Sequence, residues 1–108
     1  MRQDSPFLFE GYVISELIKG GTASDQIKFW RTKNRQEVDL IIEAGGELTP
    51  VEIKYKKRLK SSDYKGLKSY QKTYPDSLQP FMVNLTGNLL SNGVQHLSPF
   101  DIGHFLGK

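Results

Sequence analysis

Residues 37–57 read EVDLIIEAGGELTPVEIKYKK. Two runs of mostly apolar residues flank Gly45-Gly46, a dipeptide suited to a two-residue hairpin turn. Counting outward from that turn pairs Ala44 with Glu47, and so predicts Asp39 opposite Glu52 and Glu37 opposite Lys54, all four on one face of the hairpin. The other face carries Val38, Leu40 and Ile42 against Ile53, Val51 and Thr49, a consistent core face. A slip of one residue would set Asp39 against Val51 and mix the two faces, so the apolar pattern itself favours this register. A longer loop of the same parity keeps the faces and shifts the pairs.

Directly opposed Cβ atoms lie roughly 5 Å apart, where like charges destabilise a strand pair. Asp39 and Glu52 therefore require compensation. Mg²⁺ or Mn²⁺ would supply it, because these cations take hard oxygen ligands and two neighbouring carboxylates are a minimal site. Lys54 follows Glu52 by two residues and points to the same side, where it can orient a water or offset charge developing on a phosphate. That set suits hydrolysis of a phosphodiester. The competing reading of the same residues is a solvated hairpin face with cross-strand salt bridges such as Glu37 with Lys54.

Composition narrows the chemistry further. A length of 108 residues suits a single domain over 1–108, and 37% hydrophobic with 11% aromatic residues argues for a folded core. With no cysteine, disulfides, thiolate nucleophiles and cysteine zinc sites are excluded together. His96 and His104 have no second ligand at a metal-like spacing, so any metal here is expected to be oxygen-bound. No run approaches the roughly 20 apolar residues of a membrane span, and the N-terminus lacks a secretory pattern, so a cytoplasmic setting without membrane contact is expected. The net charge of +3 is modest, but it is clustered in Lys54, Lys56, Lys57, Arg58 and Lys60 and again in Lys65, Lys68 and Lys72. Clustering of that kind fits a polyanion. No GxxxxGK[ST] phosphate loop occurs, so ATP hydrolysis does not reside in these residues.

Hydrophobic periodicity predicts a helix over 7–19, with Ser5 as cap, Pro6 in its first turn and Gly20-Gly21 as its stop. At about 100° per residue, Phe7, Val13, Ile14, Leu17 and Ile18 form one stripe with Glu10 near its middle. A carboxylate there needs a partner or a metal, or serves the helix dipole near the N-terminus. Strands are predicted over 27–32, 37–43 and 48–55 as an antiparallel meander, with a turn at Lys33-Asn34-Arg35. A second helix over 62–74 is capped by Ser61, Ser62 or Asp63 and stopped by Pro75, with Tyr64, Leu67, Tyr70 or Gln71, and Tyr74 as its apolar stripe. Residues 81–85 form a continuous apolar run that suits a strand buried on both faces and parallel to an earlier one. A weaker strand covers 94–97, and Ser98 with Pro99 opens a short last helix.

Glu10 in the first helix, Asp39 in the second strand and Glu52-Ile53-Lys54 in the third read as E, D and ExK. This ordered set resembles the PD-(D/E)XK superfamily, whose restriction-endonuclease-like αβββαβ core has the element order just derived. More narrowly, LFEGYVISELIK, FWRTKNRQEVDLIIEAGGELTPVEIKYKK and GLKSYQKTYPD resemble the uncharacterised C-terminal domain of bacterial and archaeal AAA+ type ATPases. The superfamily resemblance implies an α/β fold with a mixed sheet and metal-dependent cleavage of nucleic acid. It implies Asp39 and Glu52 as Mg²⁺ or Mn²⁺ ligands, Glu10 as auxiliary ligand or base, and Lys54 near the attacked phosphate. The proline that often precedes the aspartate is replaced by Val38. The narrower resemblance implies a C-terminal fragment of a longer chain, with its ATPase domain as a partner, and leaves open a non-catalytic nucleic-acid-binding or regulatory module.

The basic run Lys56, Lys57, Arg58 and Lys60, with Lys65, Lys68 and Lys72 at helical spacing, then reads as a phosphate-binding surface for nucleic acid, DNA above all. The alternative is a solvated lysine face. Phe29 and Trp30 either stack on bases or pack into the core or an oligomer interface around that strand.

Overall fold

The computed structural model describes residues 6–85, 89–91 and 93–99. Helix α1 (Pro6–Lys19) leads through a 3-10 turn (Ser24–Gln26) into β1 (Ile27–Arg31), β2 (Glu37–Ala44) and β3 (Glu47–Ile53). A second 3-10 turn (Ser61–Tyr64) runs directly into α2 (Lys65–Thr73), followed by β4 (Phe81–Val83), β5 (Leu89–Ser91) and β6 (Val94–Leu97). The chain is α/β, with six strands among the described residues in the order β1-β2-β3-β4-β6-β5. The expected order αβββαβ is present. β1, β2 and β3 form the antiparallel meander, β4 lies parallel to β3 and β6 parallel to β4.

Alternation along the strands divides the apolar residues between two layers. Phe9, Val13 and Leu17 of α1 pack with Leu40, Ile42, Val51, Ile53 and Val83 on one side. On the other, Tyr64, Leu67 and Tyr70 pack with Val38, Ile41 and Met82. Met82 and Val83 thus serve opposite layers, as a strand buried on both faces must. Each side buries several fully enclosed Leu and Val side chains, worth about 1.5–3 kcal/mol apiece before conformational entropy is set against them.

The hairpin forms with the expected two-residue turn: Gly45 and Gly46 have φ +61° and +80°, and pairing runs from Ala44↔Glu47 to Leu40↔Val51. Three expectations are corrected. Val38 does not share a face with Leu40 and Ile42, because β2 carries a bulge. Ile27 and Lys28 pair with Ile42 and Ile41, whereas Trp30 pairs with Val38, so Asp39 and Leu40 together stand opposite Phe29 and the alternation shifts by one. Glu37 does not oppose Lys54; it pairs with Arg31 of β1, whose Nε lies 3.0 Å from its carboxylate, and β3 ends before Lys54. The stripe of α1 is shifted towards Phe9 and away from Ile18: Phe9 is buried against Tyr55, ring centroids 5.1 Å apart, while Ile18 is 47% exposed. Glu10 is half-buried between Leu17 and Ile14, on the side of the stripe away from Phe9.

β5, which pairs antiparallel with β6, was not among the expected strands. The Ser5 cap, the Phe7 side chain, the last helix beyond Pro99 and His104 lie outside the described residues.

Candidate active site

The bulge in β2 and the end of the β2–β3 pairing coincide at Asp39. From there outward, side chains take over from the ladder. The Asp39 backbone N–H donates to Glu52 Oε1 at 3.0 Å, and the Ile53 N–H donates to Asp39 Oδ2 at 2.8 Å. Each carboxylate thus has one oxygen fixed by the other strand's backbone. Glu52 is 5% exposed and Asp39 is half-buried. Burial first, then the negative charge of Asp39 and a hydrogen bond between the two carboxyls, push Glu52 up to about 9. The Asp39 N–H and the Lys54 ammonium, whose Nζ is 3.8 Å from Glu52 Oε2, act in the opposite sense without reversing this. With no cation present, the pair holds a proton at neutral pH.

Lys54 is positioned by the sheet. Its N–H donates to the Val83 carbonyl at 2.9 Å, extending the β3–β4 pairing by one bond. Glu52 alternates with Val51 and Ile53 and faces α2, where a Cβ built on Gly66 would lie 3.6 Å from Glu52 Oε2 and collide with the Glu37 carbonyl. Only a glycine lets α2 approach this end of the sheet so closely.

Glu10 reaches the site from α1, on the opposite layer. Burial, then the charges of Asp39 and Glu37, raise its carboxyl above the usual range. Glu10, Glu37 and Asp39 line a groove of about 550 Å³ together with Phe29, Trp30 and Arg31. Asp39 is the common member. It meets Glu52 and, through them, Lys54 on one side and Glu10 on the other, but Glu10 and Glu52 are not brought to one point. Among the described residues no three His, Asp or Glu side chains are grouped closely enough to hold a metal ion. The donor set that fits a divalent cation is therefore the pair Asp39 and Glu52, two hard oxygen donors whose mutual repulsion needs a positive charge or a proton.

Of the basic residues, Lys57, Arg58, Lys60, Lys65, Lys68 and Lys72 are exposed as expected. Lys56 is half-buried, with its Nζ 3.0 Å from Asp63 Oδ2 in an ion pair whose acid is 8% exposed. Burial acts to raise Asp63, but the Lys60 N–H at 2.7 Å and the Lys56 ammonium outweigh it and hold the carboxyl below its ordinary value. Sequence reading passed over Asp63 except as a cap, although it is the one acid between Lys54 and Lys72. It also passed over Gly66, whose signal is a glycine inside a helical pattern. His96, given no role, is buried and lies 2.7 Å from the Tyr64 hydroxyl.

The family model of the domain of unknown function DUF4143 matches residues 6–101. The chain belongs to the DUF4143 family. DUF4143 is an uncharacterised domain often found at the C-termini of AAA-type ATPases, in keeping with the narrower of the two resemblances. No curated protein and no solved structure matches this DUF4143 chain. Among its described residues no helix is long and apolar enough to cross a membrane.

Proposed function

We propose that this DUF4143 domain is a metal-dependent phosphodiesterase of the PD-(D/E)XK type, acting on DNA or structured nucleic acid. One observation carries the reading. Asp39 and Glu52 are locked side by side at the end of the hairpin, with Lys54 beside them, in an arrangement that needs a cation or a shared proton to hold both carboxyls together. Asp39 and Glu52 would hold Mg²⁺ or Mn²⁺. The bound ion would supply Lewis-acid activation of a water and of the phosphate.

The chain's own residues do the rest. Lys54 offsets the negative charge that develops on the attacked phosphate. Glu10, half-buried beside Asp39 with a raised affinity for protons, would take a proton from the attacking water. Lys57, Arg58, Lys60, Lys65, Lys68 and Lys72 neutralise phosphates along the backbone, giving affinity with little sequence information.

A second reading is favoured by the absence, among the described residues, of a three-ligand group. It is a non-catalytic nucleic-acid-binding or regulatory module attached to an AAA-type ATPase in the same chain, with the site idle. Incubation of fluorescent DNA with the purified domain in Mn²⁺ separates the two. Cleavage that EDTA abolishes and that Asp39→Asn and Lys54→Ala each lower by at least a hundredfold supports the nuclease. Binding of DNA without cleavage supports the module.

A further inference from the structure

β1 is an edge strand, and its central residue, Phe29, faces the bulge that holds Asp39. Phe29 is 76% exposed, more than any other large apolar side chain among the described residues. Its neighbour Trp30 takes the other course, half-buried with its ring edge-on to Tyr70 at 5.1 Å. Both aromatics line the groove beside Glu10 and Asp39, but only Trp30 is held by core packing. A single exposed phenylalanine is ordinary on a surface, so its surroundings decide what it can do.

The groove itself carries Glu10, Glu37 and Asp39 with Arg31, and the exposed cations lie along its β1 side. Lys28, Arg31, Lys33 and Arg35 are all exposed on β1 and the turn after it. That turn is closed by the Thr32 N–H donating to Gln36 O at 2.8 Å and holds Arg35 at φ +64°. Arg31 is engaged by Glu37. The β1–β2 turn and the chain leaving β3 at Lys54 lie at the same end of the sheet, because β2 runs away from that end and β3 returns to it. The carboxylates therefore sit at the same end of the sheet as the turn that carries Lys33 and Arg35 and as Lys54.

We propose that Phe29 is a stacking platform for an unpaired base and that Lys33 and Arg35 hold the adjoining phosphates, so that the substrate class is nucleic acid with a single-stranded segment at the site. This rests on the nucleic-acid reading above and specifies its substrate. Stacking on an aromatic face is indifferent to base identity and needs a base free of its partner, whereas a duplex presents only its backbone to such a surface. A protein strand added to the β1 edge is the competing occupant; the exposed Lys33 and Arg35 of the turn after β1 favour a polyanion.

Fluorescence anisotropy of the whole chain in EDTA tests this, using a labelled oligothymidylate of about 15 nucleotides, near the upper site size of one binding fold, and a hairpin duplex of equal charge. The expected result is tighter binding of the single strand, weakened about tenfold by Phe29→Ala, a loss of about 1.4 kcal/mol, retained in Phe29→Tyr and lost in Phe29→Leu. Duplex binding by Phe29→Ala is expected to match that of the unaltered chain. Equal single-strand affinity for Phe29→Ala and the unaltered chain, or full affinity in Phe29→Leu, overturns the stacking role. That outcome leaves the metal-dependent reading intact, since no divalent ion takes part. Absence of binding to either nucleic acid overturns the stacking role too, and the metal-dependent reading is then decided by the cleavage assay in Mn²⁺. A dimer that Phe29→Ala dissociates, with nucleic-acid affinity unchanged, assigns the edge to a protein contact instead.

Discussion

Asp39 and Glu52 each accept a hydrogen bond from the backbone of the other's strand, at 2.8 Å and 3.0 Å, so neither carboxylate can move away from its neighbour without breaking the end of the hairpin. Two acids are thereby fixed where they repel. A neutral replacement at Glu52 keeps the shape and removes the cost of holding a proton that the unfolded chain has released. Glu52→Gln is therefore expected to stabilise the metal-free fold at neutral pH by about 1–3 kcal/mol. The same variant loses any stabilisation by added Mn²⁺. Urea denaturation in EDTA and then in Mn²⁺ measures both effects; a less stable variant in EDTA would count against the repulsion.

The same pair sets a pH dependence. Glu52 titrates near 9 in the folded protein against an ordinary value of 4.5. Between those values the folded state keeps a proton that the unfolded chain has released, so stability falls as pH rises through this window and levels off above it. Urea midpoints in EDTA should therefore decline from about pH 5 to about pH 8.5, and the decline should flatten in Glu52→Gln. Asp63 acts with the opposite sign on the acid side. Its depressed value stabilises the fold above the ordinary aspartate range, and that contribution is lost as pH falls through the folded value.

Gly66→Ala offers a test by sign. In most helices a glycine-to-alanine change is favourable by roughly 0.5–1 kcal/mol. Here the added methyl meets the Glu37 carbonyl, so a loss of about 1–3 kcal/mol is expected, as for overpacking in general. Thermal melting decides between the two. Because the displaced backbone leads directly to Asp39, Mn²⁺ affinity should fall as well.

Lys56 and Lys68 separate structural from binding lysines. Lys56→Met removes the partner of nearly buried Asp63 and should cost about 1–3 kcal/mol of stability, with little change in how nucleic-acid affinity depends on salt. Lys68→Ala lies on the exposed face of α2. It should leave stability within about 0.5 kcal/mol and reduce the slope of log affinity against log salt by about 1. Equal salt slopes for Lys68→Ala and the unaltered domain would remove α2 from the binding surface.

Much of this architecture is legible locally. Gly45-Gly46 and the alternating residues around it fix the hairpin register, and the continuous run at Phe81–Val83 marks a strand covered on both sides. What escaped depends on distant partners. No residue type marks the bulge at Asp39 and Leu40; it arises from the pairing of β2 with β1. The choice of Phe9 over Ile18 as the buried member of α1 follows from Tyr55, which lies beyond the whole meander. Lys56 reads as part of a basic run until Asp63 folds back on it, and the Tyr64–His96 pair spans 32 positions. At the site, Asp39, Glu52 and Lys54 could be grouped by counting along two strands. Glu10 could not be placed relative to Glu52 in that way, because they approach from opposite sides of the sheet.

The central claim is that the Asp39–Glu52 pair is a cation site. Crystals of the domain soaked in Mn²⁺ near pH 8 test it most directly. The account predicts an anomalous peak with one oxygen of each carboxylate at about 2.0–2.2 Å, in line with a small divalent ion. A map with no peak there, and with the two carboxyls still in contact through a shared proton, would contradict it.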